Sequence, residues 1–333
     1  MKKILVTGGA GFIGSHTAVE MLDAGYEIVI VDNFSNSKPE TLDKIKEITG
    51  KDFKFYEADL TDRDAVEKIF DENDISGVIH FAGYKAVGES VAKPVMYYHN
   101  NILSTLVLCD VMAKHNVKNI VFSSSATVYG DPASVPIKED FPLHTTNPYG
   151  STKLMIEQML RDIYTSDNEW GIVILRYFNP IGAHKSGLIG ENPNGIPNNL
   201  LPYVAKVASG QLPCLSVFGN DYNTVDGTGV RDYIHVVDLS LGHVKAVQKL
   251  EKGSGVYTYN LGTGNGYSVL QIVKSFEKVN GVTVNHKITD RRPGDIAECY
   301  ADPALAKAEL GWEATRGLDE MCRDLWNYTI KQK

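Results

Sequence analysis

Short unbroken apolar runs alternate with longer stretches of helical spacing through the first half of the chain. The first run, Ile4 to Val6, contains no polar position, which is typical of a central parallel strand covered on both faces. Similar runs predict strands over residues 27–31, 53–57, 77–81, 119–123 and 172–177. Helices are predicted over residues 15–24, 63–72, 91–115 and 148–164. This order predicts an α/β fold with a doubly wound, Rossmann-type parallel sheet.

A glycine-rich turn connects the first strand to the first helix. Gly8, Gly11 and Gly14 would allow a sharp turn, close approach of the backbone to a pyrophosphate, and close packing of helix on strand. The next strand ends at Asp32, where a carboxylate can bind the ribose diol of an adenosine. These features together predict dinucleotide binding. No arginine directly follows Asp32, which favours NAD over its 2′-phosphorylated relative.

Two predicted helices have further recognisable features. The helix over residues 91–115 carries Ile102, Leu106, Cys109 and Ala113 on one stripe, which we expect to face the core. The helix over residues 148–164 begins with a proline at a first helical position, preceded by an asparagine cap. The start of this second helix is therefore well defined by its sequence.

Beyond Asn179-Pro180 the amino-acid composition changes, and glycine, proline and asparagine become frequent. We therefore predict a sheet domain over residues 1–180 and a smaller mixed α/β substrate domain over residues 181–333. A helix predicted over residues 238–250 is expected to pack back on the first domain.

A second glycine cluster, Gly262 to Gly266, follows another strand-like run. Its spacing differs from that of the first loop, and the apolar run after its helix, residues 282–288, contains no acid. We interpret the cluster as a turn whose following helix is capped at Ser268, in preference to a second nucleotide site.

Composition narrows the classes of partner. The net charge of −8 argues against sequence-independent binding of nucleic acid, and no apolar stretch approaches membrane-spanning length. The four cysteines are scattered, which indicates reduced thiols in a cytoplasmic protein. The nine histidines form no metal-binding motif, so no metal is expected. There is no Gly-x-Ser-x-Gly motif, which argues against hydrolase chemistry.

The candidate chemistry lies in Tyr149 and Lys153, which share a helix face because they are four residues apart. A tyrosine that acts as a base at neutral pH must lose about three pKa units, or roughly 4 kcal/mol. One cation at about 4 Å in an effective dielectric of about 20 supplies that much. Ser125 lies just beyond the carboxyl end of the strand predicted over residues 119–123, where its hydroxyl could bind a substrate hydroxyl or a developing oxyanion.

Residues 7–14, the Ser125 strand end and the Tyr149–Lys153 pair resemble the extended short-chain dehydrogenase/reductase superfamily. Within it the chain is similar, nearly end to end, to the UDP-galactose (UDP-glucose) 4-epimerases. The segments that carry this closer resemblance are residues 150–153, 176–184, 195–202 and 227–235.

The resemblance implies that Tyr149 is the general base, that Lys153 tunes it and holds the nicotinamide ribose, and that Ser125 assists proton transfer. It also implies a buried polar residue beside the cofactor at Asn100. The implied cofactor contacts are Gly8, Gly11, Phe12, Ile13, Gly14, Asp32, Asn33, Asp59, Leu60, Phe81, Ala82, Lys85, Asn100, Ser123, Tyr149, Lys153 and Tyr177. The implied substrate contacts are Lys85, Ser125, Tyr149, Phe178, Asn179, Asn199, Leu200, Ser216, Phe218, Arg231, Tyr233, Arg292, Asp295 and Cys299.

The implied reaction is epimerisation of a UDP-hexose through a transient 4-keto sugar. Hydride passes from the sugar to retained NAD⁺ and returns to the opposite face. A small residue at position 299 implies that N-acetylated UDP-hexoses are accepted as well, and the resemblance implies a homodimer. Dehydratase relatives need acids after the serine, which Ala126 and Thr127 do not provide. Epimerisation of another UDP-sugar such as UDP-glucuronate, and a non-catalytic NAD-sensing role, remain alternatives.

Overall fold

The computed structural model describes residues 2–195, 197, 199–292 and 295–332. Its strands are β1 (Lys3–Thr7), β2 (Glu27–Asp32), β3 (Lys54–Glu57), β4 (Gly77–His80), β5 (Asn119–Ser125), β6 (Gly171–Tyr177), β7 (Asn179–Ile181), β8 (Leu215–Phe218), β9 (Val230–His235), β10 (Gly255–Leu261), β11 (Gly266–Ser268), β12 (His286–Thr289) and β13 (Glu298–Cys299). Its α-helices are α1 (Phe12–Asp23), α2 (Glu40–Thr49), α3 (Arg63–Asp71), α4 (Val87–Ala92), α5 (Pro94–Lys114), α6 (Pro148–Ser166), α7 (Leu200–Ala208), α8 (Val236–Leu250), α9 (Val269–Asn280), α10 (Ala304–Leu310) and α11 (Leu318–Lys331).

A seven-stranded parallel sheet organises the molecule, in the order β10-β6-β5-β4-β1-β2-β3. Ile4 and Val6 pack in one core cluster and Leu5 in the other, so β1 is covered on both faces. This two-sided burial is the physical reason for its unbroken apolar run. Residues of α1, α2 and α8 belong to the first cluster, and those of α3, α5 and α6 to the second. The predicted α/β fold with a doubly wound parallel sheet is confirmed.

The edge strand β10 comes from the second half of the chain and pairs with β6 from Gly255–Gly171 to Leu261–Tyr177. The helix before it, α8, packs against α1. Sequence analysis placed six strands in this sheet and did not foresee the seventh. The predicted division of the chain near residue 180 remains a prediction.

The rest of the second half forms smaller sheets beside the carboxyl ends of the parallel strands. One contains β11, β9 and β13, with β7 also paired to β9, and another contains β12 and β8. A separate apolar cluster, which includes Leu201, Val217 and Phe276, packs α7, α9 and α11 around these strands.

The helix predicted over residues 91–115 is present as α5, but it begins at Pro94, and residues 91 and 92 belong to the separate helix α4. Lys93, which joins α4 to α5, has φ −133° and ψ 56°. It precedes Pro94, and the proline ring disfavours helical geometry at the preceding residue. The predicted core stripe is also only partly right, since Cys109 is buried but Leu106 and Ala113 are exposed.

Backbone N–H groups of the second glycine cluster, residues 262–266, are hydrogen-bonded to a side chain of the protein itself. Asp232, buried on β9, accepts hydrogen bonds from the backbone N–H groups of Thr263 at 2.8 Å and Gly264 at 3.0 Å. Ser268 caps α9 and forms a reciprocal capping box with Gln271. The capping box confirms the predicted cap at Ser268. Because Asp232 already accepts hydrogen bonds from Thr263 N and Gly264 N, these N–H groups are not available to a phosphate.

Across the described residues, no helix is both long enough and apolar enough to cross a membrane.

The close packing at Gly14 gives the first testable prediction. A Cβ at this position would lie 2.2 Å from the Gly8 carbonyl oxygen and 2.8 Å from the Gly9 Cα. Gly14→Ala should therefore lower the free energy of unfolding by about 1–3 kcal/mol or more, measured by urea denaturation. Gly317→Ala is the matched control, since nothing lies within 4 Å of its Cβ. Equal stability of the two variants would contradict this packing.

Candidate active site

A cavity of about 1700 Å³ opens where the parallel strands end and the second half of the chain begins. It is lined by the glycine loop, by the carboxyl ends of the strands, and by residues of β8, β9 and α7. All the residues implied above as cofactor or substrate contacts line it, with the exception of Cys299. Residues 196 and 198 of the segment 195–202 lie outside the described residues. The cavity thus brings together side chains that are distant in sequence.

At the glycine end of the cavity the loop packs closely on the protein's own backbone and leads into the start of α1. Gly8 has φ +66°, and a Cβ there would lie 2.9 Å from the backbone nitrogen of Ala82. Helix α1 begins after Gly11 with no side-chain cap and no acid among the described residues of its first turn. Its first N–H groups and its dipole are therefore available to an anion.

Asp32 ends β2 and lines the same cavity. One carboxylate oxygen accepts a hydrogen bond from Ala10 N at 3.0 Å, and the other accepts from Phe34 N and Ser37 Oγ. Beyond β3, Asp59 accepts from the side chain of Asn33 at 2.9 Å. These acceptors beside the glycine loop fit the ribose and adenine end of a dinucleotide, so the residues present fit NAD.

Asn100 lines the cavity but is only half-buried, whereas its neighbour Asn101 is almost fully buried. The Asn101 amide oxygen accepts from Tyr84 N at 2.8 Å, and its nitrogen donates to Thr152 Oγ1 at 3.1 Å. Asn101 therefore fixes the loop after β4 against the first turns of α6. Asn100 is the one of the two that lines the cavity, and its contact with the cofactor remains a prediction.

Tyr149 and Lys153 lie in the first two turns of α6, which Asn147 caps through Gly150 N at 2.9 Å. The Lys153 ammonium lies 6.0 Å from the centre of the Tyr149 ring and donates to the Ser123 carbonyl oxygen at 2.7 Å. Burial raises the pKa of the Tyr149 phenol, and a hydrogen bond with Ser125 only partly opposes this. In the protein alone the pKa of this phenol is therefore raised, and its action as a base stays a prediction.

The adjacent serines point to different partners. Ser124 is buried and donates to Glu157 Oε1 at 2.5 Å. Ser125 is half-buried, caps the short 3-10 helix of residues 126–129, and hydrogen-bonds Tyr149. The structure thus places Ser125, and not Ser124, beside the phenol.

The opposite end of the cavity is cationic and aromatic. Arg231 on β9 donates to the Val230 carbonyl oxygen at 2.8 Å. The Arg292 guanidinium lies 4.7 Å from the centre of the Phe218 ring and donates to Asp295 at 3.0 Å. Two arginines beside an exposed ring edge suit a diphosphate attached to a flat base. The other implied substrate contacts at this end of the cavity are Phe178, Asn179, Asn199, Leu200, Ser216 and Tyr233.

Cys299 lies just outside the cavity lining. It lies on β13, paired with Arg231, and packs against a small apolar cluster that includes Phe178. Burial raises the pKa of its thiol to about 11, so the side chain is neutral at physiological pH. Phe178 does line the cavity, so a longer side chain at position 299 would have a short path into it.

Comparison with known proteins agrees with this geometry. A family model described as GDP-mannose 4,6 dehydratase matches residues 5–325. The chain is 68% identical to UDP-glucose 4-epimerase of Bacillus subtilis, over 98% of this chain and 96% of that one. The crystal structure of UDP-glucose 4-epimerase from Bifidobacterium longum, in complex with NAD⁺ and UDP, is 57% identical with a TM-score of 0.96, covering 99% of this chain and 98% of that one. The UDP-Glc/GlcNAc 4-epimerase of Campylobacter jejuni is 34% identical with a TM-score of 0.87, covering 99% of this chain and 100% of that one.

The chain belongs to the UDP-glucose 4-epimerase family. The resemblance inferred from the sequence motifs is thereby confirmed.

A buried charge network beneath the site was not found by sequence reasoning. Glu157, one turn beyond Lys153, accepts two hydrogen bonds from Arg176 at 3.0 and 2.7 Å. Both side chains are almost fully buried. Burial lowers the pKa of Lys153 to about 8, and the Glu157 carboxylate acts to raise it. The i+4 spacing from Lys153 to Glu157 was the available signal, but a glutamate on a helix is usually a solvated residue.

Glu157→Gln provides a test of this network. Loss of the carboxylate should lower the pKa of Lys153 further, so the ammonium loses its proton at a lower pH. The alkaline limb of the kcat profile of this family's reaction should therefore move to lower pH. Because Arg176 would keep a buried charge, the free energy of unfolding should fall by about 3–5 kcal/mol.

The matched control is Asp162→Asn, which removes an exposed carboxylate from the same helix. It should leave both the pH profile and the stability unchanged. An unshifted alkaline limb in folded Glu157→Gln would contradict the assigned effect on Lys153.

Proposed function

We propose that this protein is an NAD-dependent 4-epimerase that interconverts UDP-galactose and UDP-glucose. The observation that carries the proposal is one continuous cavity, which contains the glycine loop, Tyr149 with Lys153, and the arginines Arg231 and Arg292. Asp32 ends β2 and Ser125 ends β5, with β1 and β4 between these strands. Three strand spacings give about 14 Å, a span that an extended dinucleotide can bridge.

The residues of the chain act on the sugar and on its proton. Tyr149 accepts the proton of the sugar 4-hydroxyl and returns it at the end of the turnover. Ser125 holds the phenol by a hydrogen bond, and Lys153 contributes a positive charge beside it. Bound NAD supplies reversible oxidation at the sugar C4 and, in its oxidised form, a second positive charge.

Binding of the two ends of the substrate is unequal. Arg231 and Arg292 hold the diphosphate through charge-assisted hydrogen bonds, and the Phe218 ring supports the uracil. The sugar has looser contacts, so a 4-keto sugar can turn over while its UDP stays bound. Energy from nucleotide binding then keeps the reacting group in place without freezing the ring.

Dehydration of a nucleotide sugar, as the description of the family model would suggest, is not favoured. Dehydratase chemistry needs acids that follow the serine, and this position holds Ala126 and Thr127 in a short helix. The sensing role is not favoured either, since Tyr149 and Lys153 are both present in the cavity.

Tyr149→Phe tests the proposed base. The variant should keep its fold and its retained NAD, visible in the absorption spectrum, but lose at least about a hundredfold in kcat because general base catalysis is removed. The assay is conversion of UDP-galactose without added cofactor. Tyr257→Phe, which alters an exposed phenol that donates to Ser254 O, is the control and should be fully active. Wild-type turnover by Tyr149→Phe would remove the assignment.

We also propose that N-acetylated UDP-hexoses are substrates. A cysteine beside Phe178 leaves space that a large aromatic residue would take from the cavity. The relative from Campylobacter jejuni, described as a UDP-Glc/GlcNAc 4-epimerase, shares this fold. UDP-glucose and UDP-N-acetylglucosamine would then be alternative substrates of one site.

Cys299→Tyr should separate the two activities. The tyrosine should reduce kcat/KM for UDP-N-acetylglucosamine by about a hundredfold or more, because an acetamido group would meet the ring, while activity on UDP-glucose changes little. Cys299→Ser, which keeps the small volume, is the control. Equal losses on both substrates would contradict the space argument.

We further propose a cytoplasmic homodimer. The cysteines of the described residues are all free thiols, as expected in a reducing compartment. Helices α5 and α6 pack side by side and expose Leu106 and Met155, 48% and 47% accessible. An apolar surface shared by two helices suits a self-complementary contact between copies.

A further inference from the structure

Glu191 is a carboxylate placed where two anionic ligands are expected. It lies in the loop after β7, lines the cavity, and its side chain is 5% exposed. Its Oε1 accepts from Lys85 Nζ at 3.1 Å and from Asn199 Nδ2 at 2.6 Å. Its Oε2 is buried and has no partner among the described residues. A buried negative charge is costly unless it is paired and hydrogen-bonded, and in the part of the chain that the structure describes only one of the two oxygens of Glu191 has partners.

The two donors come from distant parts of the chain. Lys85 follows β4 of the parallel sheet, and Asn199 immediately precedes α7 in the second half of the chain. One carboxylate oxygen therefore connects the loop after β4 with the start of α7. The Lys85 side chain remains 46% exposed, so its ammonium can still reach a ligand.

The contact with Asn199 changes the start of α7. Asparagine is a favourable N-cap, and Asn199 holds that position with extended backbone angles, φ −81° and ψ 146°. Its side chain makes no cap hydrogen bond, and its amide nitrogen donates to Glu191. Pro202, the third residue of the helix, has no N–H, so the first turn offers the N–H groups of Leu200 and Leu201. Asn199, Leu200 and Tyr203 line the cavity, so the uncapped N–H groups of the nine-residue helix α7 are left at its wall. Such a helix start is a site for an anion.

We propose that Glu191 is a positioning residue for the diphosphate of the substrate. It fixes the side chain of Asn199 through its amide nitrogen, which leaves the N–H groups of Leu200 and Leu201 for the phosphates, and it holds the Lys85 ammonium beside the same carboxylate oxygen. This role rests on the proposed function, and in it the carboxylate acts through Lys85 and Asn199. Glu191 itself does not touch the phosphates.

A double-mutant cycle tests the proposal. Glu191→Gln keeps the volume but removes the charge, and Lys85→Met removes the partner. Each should raise the Kd for UDP, measured by calorimetry on the purified holoprotein, about tenfold. The double variant should also show about a tenfold rise and not about a hundredfold one, because the two residues act as a unit. In the kinetics, KM for UDP-galactose should rise much more than kcat falls, as for a lost binding contact.

Glu313→Gln is the matched control, since it removes an exposed carboxylate that pairs with Lys307 away from the cavity. It should leave Kd, KM and the melting temperature unchanged. A purely structural role for Glu191 would lower the melting temperature and leave the Kd of the folded protein alone, which would overturn the proposal. Unchanged or tighter UDP binding by Glu191→Gln would also overturn the proposal. So would a rise of about a hundredfold in the Kd of the double variant.

If Glu191→Gln does not fold, Lys85→Met provides the test, because the half-exposed Lys85 side chain is not needed for packing. Wild-type affinity of Lys85→Met for UDP would reject the proposal. The UDP measurement does not depend on turnover. A wild-type protein that binds UDP but does not epimerise UDP-galactose would contradict the proposed function and leave this cycle interpretable.

Discussion

The site depends on charges buried under the carboxyl end of the parallel sheet. Glu157 joins Arg176 of β6 to Ser124 of β5 and lies one helical turn from Lys153. This arrangement lets α6 present an ammonium to the cavity from a position where an isolated charge would be costly. The same contacts fix α6 against two strands, so the direction of Tyr149 follows from the buried pairs beneath it.

The pKa of the Tyr149 phenol does not follow from the spacing of Tyr149 and Lys153 alone. A lysine four residues away was expected to lower the pKa of Tyr149, but burial raises it and Lys153 turns its ammonium toward a backbone carbonyl. The protein alone therefore keeps the phenol protonated. We infer that its conversion to a base is coupled to the positive charge of oxidised NAD, so that proton removal and oxidation of the sugar occur together.

Local sequence patterns predicted the glycine loop, Asp32, the α6 cap and the Tyr149–Lys153 pair, because each depends on neighbours within a few residues. The break at Lys93 was predictable from Pro94 and was missed. Contacts between distant segments had no such signal. Glu191 meets Lys85 across 106 positions, and β10 joins the sheet only because the chain returns from the second half. The position of Cys299 outside the cavity lining likewise follows from strand pairing.

The ionisation of Tyr149 in the NAD-bound protein tests this account most directly. Ultraviolet difference absorption of tyrosinate can be followed against pH for the wild-type holoprotein and for Tyr149→Phe. The account predicts one phenolate in the wild type that forms below the reference pKa near 10, because oxidised NAD adds a positive charge, and that is lost in the variant. Identical titration of the two proteins, with no phenolate below the ordinary range of tyrosine, would contradict it.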